Sequence, residues 1–265
     1  PMKPSRANME AGTGDLLPRA ELRGLIDHLR GRVLLLVAIF GVGFVGGYPL
    51  AGRVIEMLLD SSSYRPDDVE VIILHPMEAV LLRLRIGVQI GAIMSGFFLI
   101  CDLSWNGRKI FAGAKRSEIK GANRFGGFIL VLISALALAC IGAIYSHEVL
   151  VPLLLEYLSE DASSANLSST WQLQSWVGFV SGLYFASIFG FQVPIVILLL
   201  LRHGVVSNDG IKRNRGVLWF LGMSFGAFLS PPDPLSMFLV AGPILVLIEL
   251  ALILDSLTCL LYTSP

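Results

Sequence analysis

Charge is scarce in this sequence. Only 15% of its 265 residues are Asp, Glu, Lys or Arg, against about 25% in a soluble domain. A large water-soluble surface cannot be built from so few charges. Net charge is missing as well, since 20 basic residues balance 20 acidic ones. That excludes a simple basic nucleic-acid binder. Cysteine is also rare. Cys101, Cys140 and Cys259 cannot staple a secreted domain, and no two of them have metal-ligand spacing. The four histidines, His28, His75, His147 and His203, are scattered at the edges of apolar segments. No His-Glu-x-x-His, Gly-x-Ser-x-Gly or phosphate-cradling glycine loop occurs. The residues imply no catalytic site, no metal and no cofactor. What remains is hydrophobic: 54% of the chain. That excludes a disordered chain and points to a polytopic membrane protein.

A spanning helix needs about 20 mostly apolar residues. Six candidates satisfy or approach this, at 33–50, 79–101, 125–146, 173–201, 216–229 and 235–254. The fifth is short. At 1.5 Å per residue it rises only about 21 Å, which implies local thinning of the bilayer or shelter among other helices. The basic residues fix the orientation, because Lys and Arg in short loops stay cytoplasmic. Six precede the first span, six lie between the second and third, and four lie between the fourth and fifth, which is 16 of the 20. The loop between the third and fourth spans has no base and holds Glu148, Glu156, Glu160 and Asp161. Such alternation requires both termini inside and an even number of spans. The expected fold is therefore all-α, a six-helix transmembrane domain over 25–257. Residues 1–24 are expected to be a disordered or peripheral segment, and 258–265 a non-native or truncated tail. No cleavable signal peptide is evident.

Polar groups inside the spans carry the most information, because they are costly in hydrocarbon. Gln192 lies two residues before Pro194, and Pro194 removes a backbone donor. Gln192 either satisfies a freed carbonyl or lines a polar cavity. Glu249, in the last span, must face protein or water, or be protonated. Asp233 sits among three prolines and either caps the last helix or contributes to function. Glu118 is an acid among six bases. It forms a solvated ion pair, or it receives an arginine ligand through the bidentate fork that carboxylate and guanidinium make. Gly-x-x-x-Gly occurs at Gly43/Gly47, Gly87/Gly91, Gly178/Gly182 and Gly222/Gly226. Such spacing lets helices approach closely, by ordinary packing or at a dimer face.

The arrangement resembles TatC, the polytopic core subunit of the twin-arginine protein translocase. The resemblance covers about 25–254. It rests on Phe189-Gly190-Phe191-Gln192-Val193-Pro194, Lys212-Arg213-Asn214-Arg215, the run Ser230 to Ser236, and Glu249. Leu29-Arg30-Gly31-Arg32, Pro76-Met77-Glu78-Ala79 and Val151-Pro152-Leu153 add to it. The resemblance implies a cup-shaped bundle with short fifth and sixth helices and both termini in the cytoplasm. It implies an integral protein of the prokaryotic cytoplasmic membrane. It also implies recognition of twin-arginine signal peptides of folded substrate proteins through Glu118, with Asp27, His28, Arg30, Arg32, Trp105 and Phe111 around it. Single-span subunits of the TatA/TatB type would meet the intramembrane residues Gln192, Pro194, Asp233 and Glu249, and self-association is expected. Pro76 and Glu78 would be structural, in the outer loop.

The sequence departs from the family pattern at several of these positions. His28 stands where an acid is expected, with Asp27 beside it. Gln192 replaces a Glu, Gly113 a Pro, and Met237 a Gln. Without the resemblance, a secondary transporter of a small molecule or ion is the leading reading, because transporters also use broken helices and midplane polar groups.

Overall fold

The computed structural model describes residues 19–60, 70–110, 124–164, 170–202, 208–229 and 234–263. Nine helices carry the described chain. Helix α1 (Arg19–Asp60) begins inside the segment expected to be peripheral. Its 42 residues run for about 63 Å, well beyond a bilayer core of roughly 30 Å. Helix α2 spans Glu78–Ile110. Helix α3 (Arg124–Tyr145) passes through one π-helical turn, Ser146–Leu150, into α4 (Val151–Ser164). Pro152 lies just past that turn and cannot donate a backbone hydrogen bond. The wider turn thus falls where helical pairing is already interrupted.

The expected fourth span is two helices, α5 (Leu173–Gly190) and α6 (Val193–Arg202), separated by a turn at Phe191 and Gln192. Two short helices follow, α7 (Asn208–Arg213) and α8 (Arg215–Leu229), and then α9 (Pro234–Thr263). The last helix corrects an expectation. It is 30 residues long, not short. Pro234 opens the helix, where a missing N–H does no harm. Pro243 lies inside, but the Leu, Ile, Val and Ala around it are apolar enough to carry the helix on through packing. Among the described residues, five helical runs are long and apolar enough to cross a membrane, and α8, with 15 residues, is not among them.

The sequence reading also missed a strand pair. β1 (Glu70–Ile72) and β2 (Thr170–Gln172) pair in parallel, Glu70 opposite Thr170 and Ile72 opposite Gln172. β2 runs directly into α5, and β1 precedes α2 by five residues. The ribbon therefore sets the beginnings of α2 and α5 side by side. The end that carries it is called the strand end here, and the opposite end, where Arg32 and Arg215 lie, the basic end.

Helix direction is readable from close contacts. A Cβ on Gly43 would lie 2.8 Å from the Cα of Gly91, and one on Gly47 would lie 3.2 Å from the Cα of Gly87. As one number rises the other falls, so α1 and α2 are antiparallel. The two Gly-x-x-x-Gly motifs of these helices face each other within one chain. The motif on α8 is also filled from inside, with Gly222 against Leu245 and Gly226 against Ala241 of α9. On α5, the motif at Gly178 and Gly182 lies under the guanidinium of Arg85.

Two apolar cores result. One, toward the strand end, packs Ala51, Leu82, Leu150, Leu154, Trp176 and Leu183 from α1, α2, the π turn, α4 and α5. The other, toward the basic end, packs Ile100, Ala135, Ile195, Leu199, Ile244 and Ile248 from α2, α3, α6 and α9. The outward surface is apolar too. Leu34 is 85% exposed and Phe228 90%, as suits side chains that meet lipid rather than water.

Candidate functional site at the basic end of the bundle

The last turns of α2 meet the first turns of α1 at the basic end, since the two helices run antiparallel. Asp102 is buried there, although it belongs to a residue type almost never buried unless paired. Its partners explain the burial. His28 Nε2 lies 2.5 Å from one carboxylate oxygen, Oδ2. The other oxygen, Oδ1, accepts from Asn106 Nδ2 at 2.9 Å and lies 3.4 Å from the Arg32 guanidinium. Sequence reasoning passed over Asp102, one residue beyond the expected second span. The available signal was an acid at the end of an apolar run, opposite a segment holding His28 and Arg32.

The other residues expected around this site are placed differently. Asp27 and Arg30 are exposed, with no ion pair among the described residues. Trp105 packs its ring edge-on against Phe128 of α3, with centroids 5.2 Å apart. Glu118 and Phe111 lie outside the described residues, and so does Asp233.

A second polar centre joins α8 to α9. Glu249 pairs with Arg215, and its other oxygen accepts from the Trp219 indole at 3.2 Å. Glu249 therefore faces protein, and a cation balances its charge. The expectation of a partner contact at this residue meets an acid already held by two groups of the same chain.

The third polar group is at the helix break. Gln192 N donates to Phe189 O rather than to Ile188 O. The side chain makes up the difference, because Gln192 Nε2 donates to Ile188 O at 3.4 Å and to Ala135 O of α3 at 3.2 Å. So Gln192 satisfies a freed carbonyl, one displaced by the turn and not the one opposite Pro194. It also lines a hollow. A cavity of about 170 Å³ opens between α2, α5 and α6, with Gly96, Phe97, Phe189 and Val196 among its walls. Gln192 Oε1 is buried and has no hydrogen-bond partner among the described residues.

At the strand end, Glu78 is buried. One of its oxygens accepts from the backbone N–H groups of Leu74 at 3.0 Å and His75 at 2.8 Å, and from Gln172 Nε2 at 2.7 Å. Glu78 thereby ties the start of α2 to the end of β2. Pro76 lies in the exposed loop that Glu78 closes. No group of His, Cys, Asp or Glu among the described residues could hold a metal ion. The polar chemistry available is the binding of a cation by Asp102 and of a hydrogen-bond donor by Gln192.

The family profile described as "Sec-independent protein translocase protein (TatC)" matches residues 25–243. A protein of that name from Halothiobacillus neapolitanus is 28% identical over 246 residues, 91% of this chain and 64% of the relative. The chain thus spans somewhat less than two thirds of that relative's length. One from Aquifex aeolicus is 25% identical over 237 residues, 88% of this chain and 95% of the relative. A chloroplastic relative from Oryza sativa subsp. japonica is 27% identical, over 87% of this chain and 62% of its own. Among solved structures, the twin arginine translocase receptor TatC in DDM superposes with a TM-score of 0.69 at 23% identity. That match covers 88% of this chain and 98% of the other, and it is a likeness of fold.

Proposed function

Because the chain belongs to the TatC family of Sec-independent protein translocase proteins, we propose that it is a receptor for twin-arginine signal peptides of folded passenger proteins. The observation that carries this reading is the extent of the family match. It runs across the ends of α1 and α2 and through the segment that holds Glu118. The paired guanidinium groups of the peptide dock on the acids of the basic end, where each carboxylate can bind a guanidinium through two hydrogen bonds. The apolar stretch of the peptide then lies along the exposed apolar faces of the helices.

In this reading the basic end is cytoplasmic, in agreement with the sorted Lys and Arg residues. Both termini lie on that side, and α8 crosses as the fifth of six spans through a thinned bilayer. The membrane is the prokaryotic cytoplasmic membrane. Single-span subunits of the TatA/TatB type pack near the hollow at Gln192, whose Oε1, unpaired among the described residues, accepts a donor from the partner.

The test is photo-cross-linking from a probe at position 118 to a twin-arginine signal peptide, in membranes that contain the full chain. Capture of the Arg-Arg peptide and not of its Lys-Lys counterpart is expected, and Glu118→Ala weakens peptide binding. Equal capture of both peptides, with Glu118→Ala unchanged, would sink the receptor reading. For the partner surface, a probe at 192 captures a single-span subunit and Gln192→Leu lowers that capture.

A further inference from the structure

Asp102 has a cation-accepting carboxylate that the chain itself occupies. Its side chain is 6% exposed, that of His28 21% and that of Arg32 39%. The two oxygens are held unequally. Oδ1 is fixed within its own helix by Asn106, four residues on, and is approached by Arg32. Oδ2 is held by a single atom, His28 Nε2. An imidazole nitrogen makes one hydrogen bond there, whereas a guanidinium presents two parallel N–H groups to a carboxylate. Arg32 already demonstrates that a guanidinium reaches this carboxylate from the α1 side.

The α1 turns that carry His28 are lightly anchored. Ile26, Val33 and Leu34 are 55%, 50% and 85% exposed, and Asp27, Arg30 and Gly31 are exposed as well. Few apolar contacts within the protein oppose a movement of these turns, and lightly packed segments of that kind open at low free-energy cost. Deeper in the membrane the α1–α2 seam is closed by the facing glycines and by Ser95 Oγ donating to Leu36 O at 2.9 Å. A movement can therefore stop at that point without parting the helices.

We propose that Asp102 is an arginine-accepting residue of the signal-peptide site, and that His28 is its gate. At rest the imidazole fills Oδ2. An incoming peptide guanidinium displaces it and takes the carboxylate as a fork. The inference rests on the receptor reading above and assigns it a residue and a regulatory contact.

The experiment uses the full chain in lipid nanodiscs, with a fluorescent Arg-Arg signal peptide and its Lys-Lys counterpart. His28→Ala removes the competitor and tightens Arg-Arg binding by about tenfold, the worth of one hydrogen bond to a charged group. Asp102→Asn weakens it by about the same factor. The double variant binds like Asp102→Asn, because the gate has nothing left to cover. A gain from His28→Ala that persists in the double variant overturns the proposal, and so does the absence of any gain.

A second readout needs no substitution in the site. In wild-type protein with 15N-labelled histidine, saturating peptide shifts the His28 imidazole resonances. Unchanged resonances under saturation also overturn the gate. If wild-type protein does not prefer Arg-Arg to Lys-Lys, the receptor reading falls and the gate falls with it. If the preference exists and depends on Glu118 while the His28 and Asp102 variants match wild type, only the gate falls.

Discussion

Helix α2 buries one carboxylate at each end, and the two are held in opposite ways. At the strand end Glu78 is 1% exposed and takes its hydrogen bonds from two backbone N–H groups and a side-chain amide. At the basic end Asp102 is 7% exposed and takes them from an imidazole and an amide, with a guanidinium close by. Neutral backbone donors are part of the fold and cannot be exchanged. An imidazole on a lightly packed helical turn can be. The difference teaches that burial of an acid does not by itself mark a binding site, since the nature of its partners decides. Glu78 is a fastener, and Asp102 is a carboxylate that another cation can claim.

The contrast can be broken most severely at Glu78. Glu78→Ala removes the common acceptor of three donors at once, and each loses a hydrogen bond to a charged group. We expect the midpoint of thermal unfolding in detergent to fall by roughly 10 °C, while a signal peptide that still binds the folded fraction does so with unchanged affinity. A melting point within a degree of wild type would mean that the strand pair, and not Glu78, holds α2 to α5.

Between the two ends lies the glycine seam. Gly91→Val puts branched methyl groups where a single Cβ would already come within 2.8 Å of Phe40 O. Overpacking of this kind costs about 1–3 kcal/mol, and the helices must part to relieve it. Gly91→Val should lower the midpoint of thermal unfolding in detergent by roughly 2–10 °C. A midpoint equal to that of wild type would show that the seam is looser than the close approach implies.

At the basic end the ion pair between α8 and α9 should matter less. The Arg215 side chain is 54% exposed and that of Glu249 22%. Exposed pairs contribute about 0–1 kcal/mol, so Arg215→Gln should lower stability by less than about 1 kcal/mol. A loss comparable to that of Glu78→Ala would place Glu249 among the fasteners.

These distinctions also show what a sequence can disclose. The spans are legible because roughly 20 apolar residues in a row have few other homes. The break after Gly190 is legible from Pro194. The strand pair is not, because two three-residue strands, 100 positions apart, have no periodicity to read. Asp102 was overlooked for a similar reason. Its role depends on the rotation of α2 against α1, which places His28 and Arg32 over it, and neither helix encodes that rotation alone. The glycine motifs announced close approach but not the partner, which proved to be the adjacent helix in sequence for α1, α2 and α8 and the Arg85 side chain of α2 for α5. Glu249 carried a definite demand for a counter-charge, and the sequence offered several cations to meet it. Only the pairing of α8 with α9 selects Arg215.

The smallest effect is expected at Gln192, and its smallness is informative. Gln192→Leu removes the donor that satisfies Ile188 O, which leaves one carbonyl oxygen without its bond. It also removes Oε1, which is buried without a partner among the described residues. One unsatisfied oxygen is exchanged for another, and the contact to Ala135 O at 3.2 Å adds little, because that oxygen lies within α3. Leucine is close in volume and suits the apolar walls of the hollow. The net change in stability should lie within about 1 kcal/mol of zero. A side chain that can be removed at so little cost is not kept for the fold. If the unfolding midpoint stays level while cross-linking to a single-span subunit drops, the hollow is a contact surface. If the midpoint falls as far as it does for Glu78→Ala, Gln192 is a second fastener and the hollow is only a packing gap.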